Sequence, residues 1–287
     1  MPDFPIIDAH LHLYDPHTLS FPWMAGNDTL NTRHEIDTLH AARGTVEVEA
    51  AVFVEVNAAP GQHMDEAQYV EALAAKGGLV KGIVASMPLE EGADAVAADL
   101  ETFAAMKLAR GVRRLMQLHV DEPGWSLRSD FVAGVQSLAK HGLTFDLCIL
   151  HPQMGEAIEL VRRCPDVSFV LDHIGKPGIK AGLREPWWSE MKTLAAESNV
   201  SCKISGVVTE ADHDNWTPAE VKPYIAHAID CFGFDRVMFG GDWPVSKLAT
   251  TYPDWVTIVD EVVESASPED KRKLFRDNAI AFYRLGV

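Results

Sequence analysis

The stretch Ile6-Ile7-Asp8-Ala9-His10-Leu11-His12 decides how the rest of the chain is read. It has the form of a short buried strand that ends in two histidines one residue apart. Side chains at i and i+2 of a strand point to one face, about 7 Å apart at the Cα atoms. If the strand lines a closed barrel, His10 and His12 project together into its mouth. Two imidazoles on one rigid element suit a metal clamp, or a pair of hydrogen-bond donors aimed at a substrate oxygen. A lone H-x-H carries little weight in a chain with 12 histidines. It gains weight if later strands also end in polar partners.

Outward from that stretch, apolar runs and helical patterns alternate. Strands are expected at Ala51–Val56, Leu79–Ser86, Gly111–Met116, Thr144–Leu150, Val167–Asp172, Val200–Ser205 and Arg236–Gly240. Helices are expected between them, with two more near Trp255–Glu264 and Pro268–Tyr283. A long irregular stretch, Leu13 to Thr32, follows the first strand, and a loop of that length is usually functional. Strict alternation of strand and helix argues for a parallel sheet with helical crossovers. Eight such units in 287 residues argue for a closed (β/α)₈ barrel of TIM type, as one domain over residues 1–287 with long loops at the C-terminal face.

The bulk properties limit the partners. The net charge is −17, with 25 basic against 42 acidic residues and no basic block. Nucleic acid and anionic membranes are therefore not expected to bind. The four cysteines show neither C-x-x-C spacing nor disulfide density, and Cys148 and Cys202 lie in apolar runs where a thiol behaves as a small hydrophobe. The N-terminus has no basic region followed by an apolar segment, so no signal peptide and a cytoplasmic location are expected. No apolar run approaches the ~20 residues of a membrane span. Neither G-x-G-x-x-G after a strand nor a Walker-type loop occurs, which leaves nucleotide binding without support. A homo-oligomer is compatible with the sequence, which does not specify the assembly.

Active sites of such barrels lie at the C-terminal ends of the strands. Found there are His10 and His12, His151 after the fifth strand, His173 after the sixth and Asp242 after the eighth, with Arg113 and Gln117 at the end of the fourth and Lys203 in the seventh. Each has a bland alternative: His151 as a helix leader, His173 as a loop hydrogen-bond partner, Asp242 as a turn cap. Their convergence favours a reaction centre. Trp23 and Trp243, with Trp216, are candidate apolar walls, and Arg113, Gln117, Lys203 and Lys176 are candidate donors to substrate hydroxyls.

Four segments, Ile7-Asp8-Ala9-His10-Leu11-His12, Leu171-Asp172-His173-Ile174-Gly175-Lys176-Pro177, Cys202-Lys203-Ile204-Ser205-Gly206 and Met238-Phe239-Gly240-Gly241-Asp242-Trp243-Pro244, carry a resemblance. The chain resembles the amidohydrolase superfamily over its whole length, and within it the sugar-lactone hydrolases together with the 2-pyrone-4,6-dicarboxylate lactonases. The resemblance implies a distorted barrel with His10, His12, His173 and Asp242 at the reaction centre. Many superfamily members bridge two metals with a modified lysine after the fourth strand. Here that strand reads Gly111-Val112-Arg113-Arg114-Leu115-Met116-Gln117, without a lysine. One divalent metal, zinc, on His10, His12, His151 and Asp242 is the resulting expectation, and a metal-free scheme with histidines as oxyanion donors stays open.

The expected function is hydrolysis of a sugar-derived lactone, a small-molecule substrate, with Asp242 as general base. The alternatives are hydrolysis of a pyrone dicarboxylate, metal-dependent decarboxylation on the same barrel, and non-catalytic sugar-acid binding.

Overall fold

A computed structural model describes all residues, 1–287. Eight strands follow in order: β1 Ile6–Leu11, β2 Val48–Val54, β3 Val80–Ser86, β4 Ala109–Leu115, β5 Thr144–Cys148, β6 Phe169–Leu171, β7 Val200–Ile204 and β8 Val237–Phe239. They form one sheet in sequence order, with every paired neighbour parallel. The intervening helices are α1 Ile36–Ala42, α2 His63–Gly77, α3 Ala93–Ala104, α4 Ser129–Ser137, α5 Met154–Arg163, α6 Trp187–Ala195 and α7 Pro218–Phe232. After β8 come α8 Tyr252–Val262, α9 Pro268–Arg272 and α10 Asn278–Tyr283. This is the expected (β/α)₈ barrel, with most strand ends shifted by one to three residues. None of the helices is long and apolar enough to cross a membrane.

The apolar part of the barrel interior is a small cluster distinct from the larger shell between strands and helices. Ile7, Ala9, Val52, Val54, Val84, Val170 and Met238 fill it, and Tyr283 and Leu285 from the chain's end join them. The last expected helix, Pro268–Tyr283, is in fact broken into α9, a π-helical turn at Lys273–Asp277, and α10. Leu274 and Phe275 of that turn are buried in the outer shell. Asn278 donates from its amide to the carbonyls of Phe234 and Val237, at 2.6 and 2.7 Å, which ties α10 to the entry of β8.

β1 pairs irregularly with β2 at two places, between Ile6 and Ile7 and again between Asp8 and Leu11. Asp8 pairs with Ala51 and Leu11 with Phe53, so three steps on β1 oppose two on β2. The extra residue is a β-bulge, a device that re-aims side chains next to active sites. The Asp8 side chain consequently meets Tyr252 of α8, whereas His10 meets groups inside the barrel.

The seam between β1 and the segment after β8 closes the barrel. The Asp242 N–H donates to the His10 carbonyl at 2.8 Å, and the His12 N–H to the Trp243 carbonyl at 2.9 Å. Buried Asp8 accepts from the N–H groups of Gly241 (2.8 Å) and His10 (3.0 Å) and from the Tyr252 hydroxyl (2.9 Å). Burial pushes its carboxyl up to about 6 in spite of those donors. The seam is too close for a side chain at two positions. A Cβ on Gly240 would lie 2.6 Å from the His10 Cβ, and one on Gly241 would lie 2.5 Å from Asp8 Oδ2 and closer still to the Tyr252 ring. Gly241→Ala is therefore expected to lower stability by about 1–3 kcal/mol through overpacking, read as a shift in the urea midpoint. An unchanged midpoint would show that the seam tolerates a wider separation.

Candidate active site

Strand ends deliver the polar groups to one place. His10 near the end of β1 and His12 just past it lie with ring centroids 4.9 Å apart, and the His10 and His173 centroids are 4.4 Å apart. Asp242 Oδ1 is 3.2 Å from His12 Nε2 and 3.7 Å from His10 Nε2. His173 and Asp242 both have positive φ, 53° and 50°. Such backbone strain in non-glycine residues is held only where the surroundings over-determine it, and it clusters at functional sites. Gly206 permits the arrangement, since a Cβ there would lie 2.5 Å from both Asp242 Oδ2 and His173 Nδ1.

Below the mouth, His10 rests on a buried charged network. Lys203 on β7 is fully buried, with its ammonium 2.5 Å from Asp146, 3.0 Å from Asp172 and 3.3 Å from His10 Nδ1. Arg113 donates to Glu55 Oε1 and the Glu55 carbonyl, both at 2.6 Å, and reaches Asp172 and His10 Nε2 at 3.3 Å. The Tyr283 hydroxyl donates to Asp146 at 2.9 Å. Burial opposes the charge of Asp172, but Lys203 and His10 outweigh it and hold this carboxyl well below the usual range. Burial pushes Asp146 up to about 6 against the pull of Lys203.

The same balance sets the states of the groups at the mouth. Burial lowers His10 well below an ordinary imidazole and takes His173 down to about 4, against the raising influence of nearby carboxylates. For Asp242, burial is outweighed chiefly by His173, with His12 and His10 adding to it, and the carboxyl is held well below its ordinary value. Near pH 7 the centre thus holds an ionised Asp242 carboxylate beside the neutral imidazoles of His10 and His173. The Ser205 hydroxyl lies 2.9 Å from His173 Nδ1 and fixes that ring.

The donor set fits a divalent cation. His12 Nδ1 is 2.8 Å from the Val54 carbonyl oxygen and must carry the proton there. Its Nε2 then presents a lone pair toward an Asp242 oxygen 3.2 Å away. Two acceptors facing each other at that distance need a cation or proton between them. A metal-ligating histidine usually donates its other ring N–H to a carbonyl or carboxylate, which fixes its tautomer and orientation. His10, His12 and Asp242 each bring one ligand atom within 4.8 Å of the others, as do His10, Asp172 and His173. Asp172 is already engaged by Lys203 and Arg113, so the first group is the better ligand set.

Several sequence expectations need correction. His151 joins neither ligand group. Its backbone N–H bonds the Lys176 carbonyl at 3.3 Å, and its ring lies beside Gly178, because the 3₁₀ turn His151–Gln153 starts before the side chain can reach the mouth. Lys203 is in the barrel interior, neutralised by two carboxylates, rather than facing substrate. Trp243 is buried edge-on against His34 and lines no part of the cavity. The Trp216 indole donates to the Ala249 carbonyl, also outside the cavity.

Arg113, Gln117 and Trp23 do line the cavity beside His12, His173 and Asp242, together with Lys176, Asn57, Leu118 and Cys148. Its volume is about 200 Å³. Lys176 donates to Gln117 Oε1 at 2.5 Å, and burial pushes the Cys148 thiol up to about 11, so it remains protonated. Sequence reasoning did not single out Asp172, Ser205, Glu55 or Asp146. Asp172 carried a signal in its adjacency to His173. Ser205 stood in the segment Cys202-Lys203-Ile204-Ser205-Gly206 that carries the family resemblance, whereas Glu55 and Asp146 sit in ordinary strand patterns and had none.

The model of the amidohydrolase family described as "Amidohydrolase" matches residues 7–285, and the chain belongs to that family of enzymes. Among curated relatives, it is 33% identical to the uncharacterised protein y4mH of Sinorhizobium fredii, over 99% of this chain and all of that one. It is 29% identical to L-fucono-1,5-lactonase of Burkholderia ambifaria, over 97% of this chain and 95% of that one. Among solved structures, an amidohydrolase from Burkholderia multivorans with bound zinc superposes with a TM-score of 0.86 at 28% identity, covering 98% of this chain and 100% of that one.

Two outcomes follow from the site. His10→Ala and His12→Ala should each lower the bound divalent metal, measured by mass spectrometry of the purified protein, because each removes one of three clustered ligand atoms. Full metal content in both variants would remove this ligand set. Lys203→Met should cost about 3–5 kcal/mol, since it leaves Asp146 buried without its cation and Asp172 with Arg113 alone. Chemical denaturation checks this, and a variant as stable as the parent would mean that the network holds another compensating charge.

Proposed function

We propose that the enzyme hydrolyses an aldonolactone, with Asp242 as general base. The observation that carries this reading is an ionised, buried carboxylate 3.2 Å from His12 at the head of a small polar cavity. Support comes from relatives named as L-fucono-1,5-lactonases that align over nearly the whole chain. A relative named L-rhamnono-gamma-lactonase in Scheffersomyces stipitis, 22% identical, adds to it.

Opening a lactone needs an activated water, a polarised carbonyl and a protonated leaving oxygen. Asp242 takes a proton from water as the oxygen attacks the carbonyl carbon, then delivers it to the ring oxygen as the acyl–oxygen bond breaks. Neutral His173, held by Ser205, orients toward the same centre and remains able to hydrogen-bond without adding charge. His10, His12 and Asp242 would hold a divalent metal such as zinc, which when bound would supply Lewis-acid polarisation. Lys176 and Gln117 offer a donor and an amide to ring hydroxyls, and Trp23 offers a flat wall. The cavity of about 200 Å³ is below the ~300–1,000 Å³ common for ligand sites, which suits one small ring.

A dicarboxylated pyrone fits less well. Arg113, the single arginine lining the cavity, is already bonded to Glu55 and Asp172. That leaves Lys176 as the remaining cation for two carboxylates. Neutral lactones should therefore be preferred, and removing one ring hydroxyl should lower kcat/KM by about tenfold or more through unpaired polar groups. Asp242→Asn should reduce kcat by about 10²–10⁴-fold. A pH-indicator assay over five- and six-membered aldonolactones and pyrone dicarboxylates tests both. Retention of kcat in Asp242→Asn removes the residue from the chemistry, and a higher kcat/KM for a pyrone dicarboxylate overturns the substrate class.

A further inference from the structure

The catalytic cavity does not end at its own walls. A second cavity of about 540 Å³ adjoins it at the C-terminal face and shares Trp23, Asn57 and Leu118 with it. The chain exposes five large apolar side chains: Met1, Trp23, Leu118, Leu183 and Val287. The first and last are the termini, and two of the remaining three stand at this junction. Trp23 is 44% exposed although its ring is fixed, since the indole N–H donates to the Val56 carbonyl at 2.8 Å. Leu118 is 61% exposed. A rigid aromatic face and an aliphatic side chain left open between two cavities form a platform for a ligand that spans both.

The far cavity is polar and carries no excess of positive charge. Arg114 is paired with both oxygens of Glu90, at 2.9 Å through its Nε and more closely through its terminal nitrogen. Glu91 adds a second carboxylate, and Ser86 and His63 line the same space. Carboxylates and a neutralised guanidinium suit hydroxyl groups and repel an anion. The Trp23 face suits the apolar face of a pyranose ring.

Resting on the lactonase reading, we infer that this second cavity is a glycosyl subsite. The preferred substrate is then an aldobionolactone, the lactone of a disaccharide oxidised at its reducing end. The lactone ring occupies the catalytic cavity and the attached sugar lies across Trp23 toward Arg114 and Glu91. Hydrolysis adds one water across the acyl–oxygen bond of the lactone and leaves the glycosidic bond intact.

The test compares cellobionolactone, lactobionolactone and melibionolactone with monosaccharide aldonolactones, using the full-length enzyme and subtracting spontaneous hydrolysis. Remote binding energy should raise kcat/KM for at least one disaccharide lactone by about tenfold or more over every monosaccharide lactone. Ala59→Trp fills the second cavity from a position outside the catalytic cavity. It should erase that advantage and leave monosaccharide turnover within about twofold of the parent. Arg114→Met, a second variant from the same wall, should reduce the advantage without altering monosaccharide turnover. Turnover of monosaccharide lactones with no advantage for any disaccharide lactone overturns the subsite and leaves the lactonase reading standing. An advantage that survives both substitutions also overturns it. Failure to hydrolyse lactones of either kind rejects the lactonase reading and this inference with it.

Discussion

The contact between the first strand and the segment after the last one governs the rest of the molecule. Eight parallel strands can close only if Gly240-Gly241 runs against Asp8 and His10, and the backbone bonds from Asp242 to His10 and from His12 to Trp243 hold it there. Asp8 buries a carboxylate at this seam and spends its acceptor capacity on two backbone N–H groups and the Tyr252 hydroxyl. The same contact that closes the barrel places Asp242 beside the histidine pair. Closure and assembly of the site are therefore one event, although 230 residues separate Asp242 from His12.

Beneath that seam the barrel departs from the apolar filling usual for its fold. Two cations, Lys203 and Arg113, and three carboxylates, Glu55, Asp146 and Asp172, occupy the layer under His10. Buried ion pairs are seldom net stabilising against apolar replacements, so this layer is better understood through what it orients. Asp172 and Lys203 face His10 Nδ1, Arg113 faces Nε2, and the ring is held from both sides. Ser205 and the Val54 carbonyl hold His173 and His12 in the same way. The strained backbone of His173 and Asp242 is consistent with a site whose surroundings, rather than local preference, set its geometry.

Much of this was legible in the sequence. Strict alternation of apolar runs and helices indicated the barrel, because strand and helix periods differ and a parallel sheet needs a crossover between strands. The H-x-H at the end of β1 indicated the clustered imidazoles, and the helix-to-strand rhythm put His173 and Asp242 at strand ends. The errors have physical causes. His151 stands at a strand end, but the immediate onset of a 3₁₀ turn directs it toward Gly178. Lys203 alternates inward as a strand residue should, yet it lies too deep in the barrel to meet a ligand and meets Asp146 and Asp172 instead.

Local periodicity and chain order specify the elements, their order and the identity of the polar residues at the strand ends. The tertiary structure alone decided which of those residues share a centre. Charge partners such as Glu55 with Arg113, or Asp146 with Lys203, are 58 and 57 positions apart, and no local pattern encodes their encounter. The bulge in β1, the glycine contact at Gly206 and the cavity junction at Trp23 and Leu118 likewise exist only once the barrel has closed. Depth along the barrel axis, which separates a structural lysine from a ligand-facing one, is a property of strand register across eight strands and is not written in any one of them.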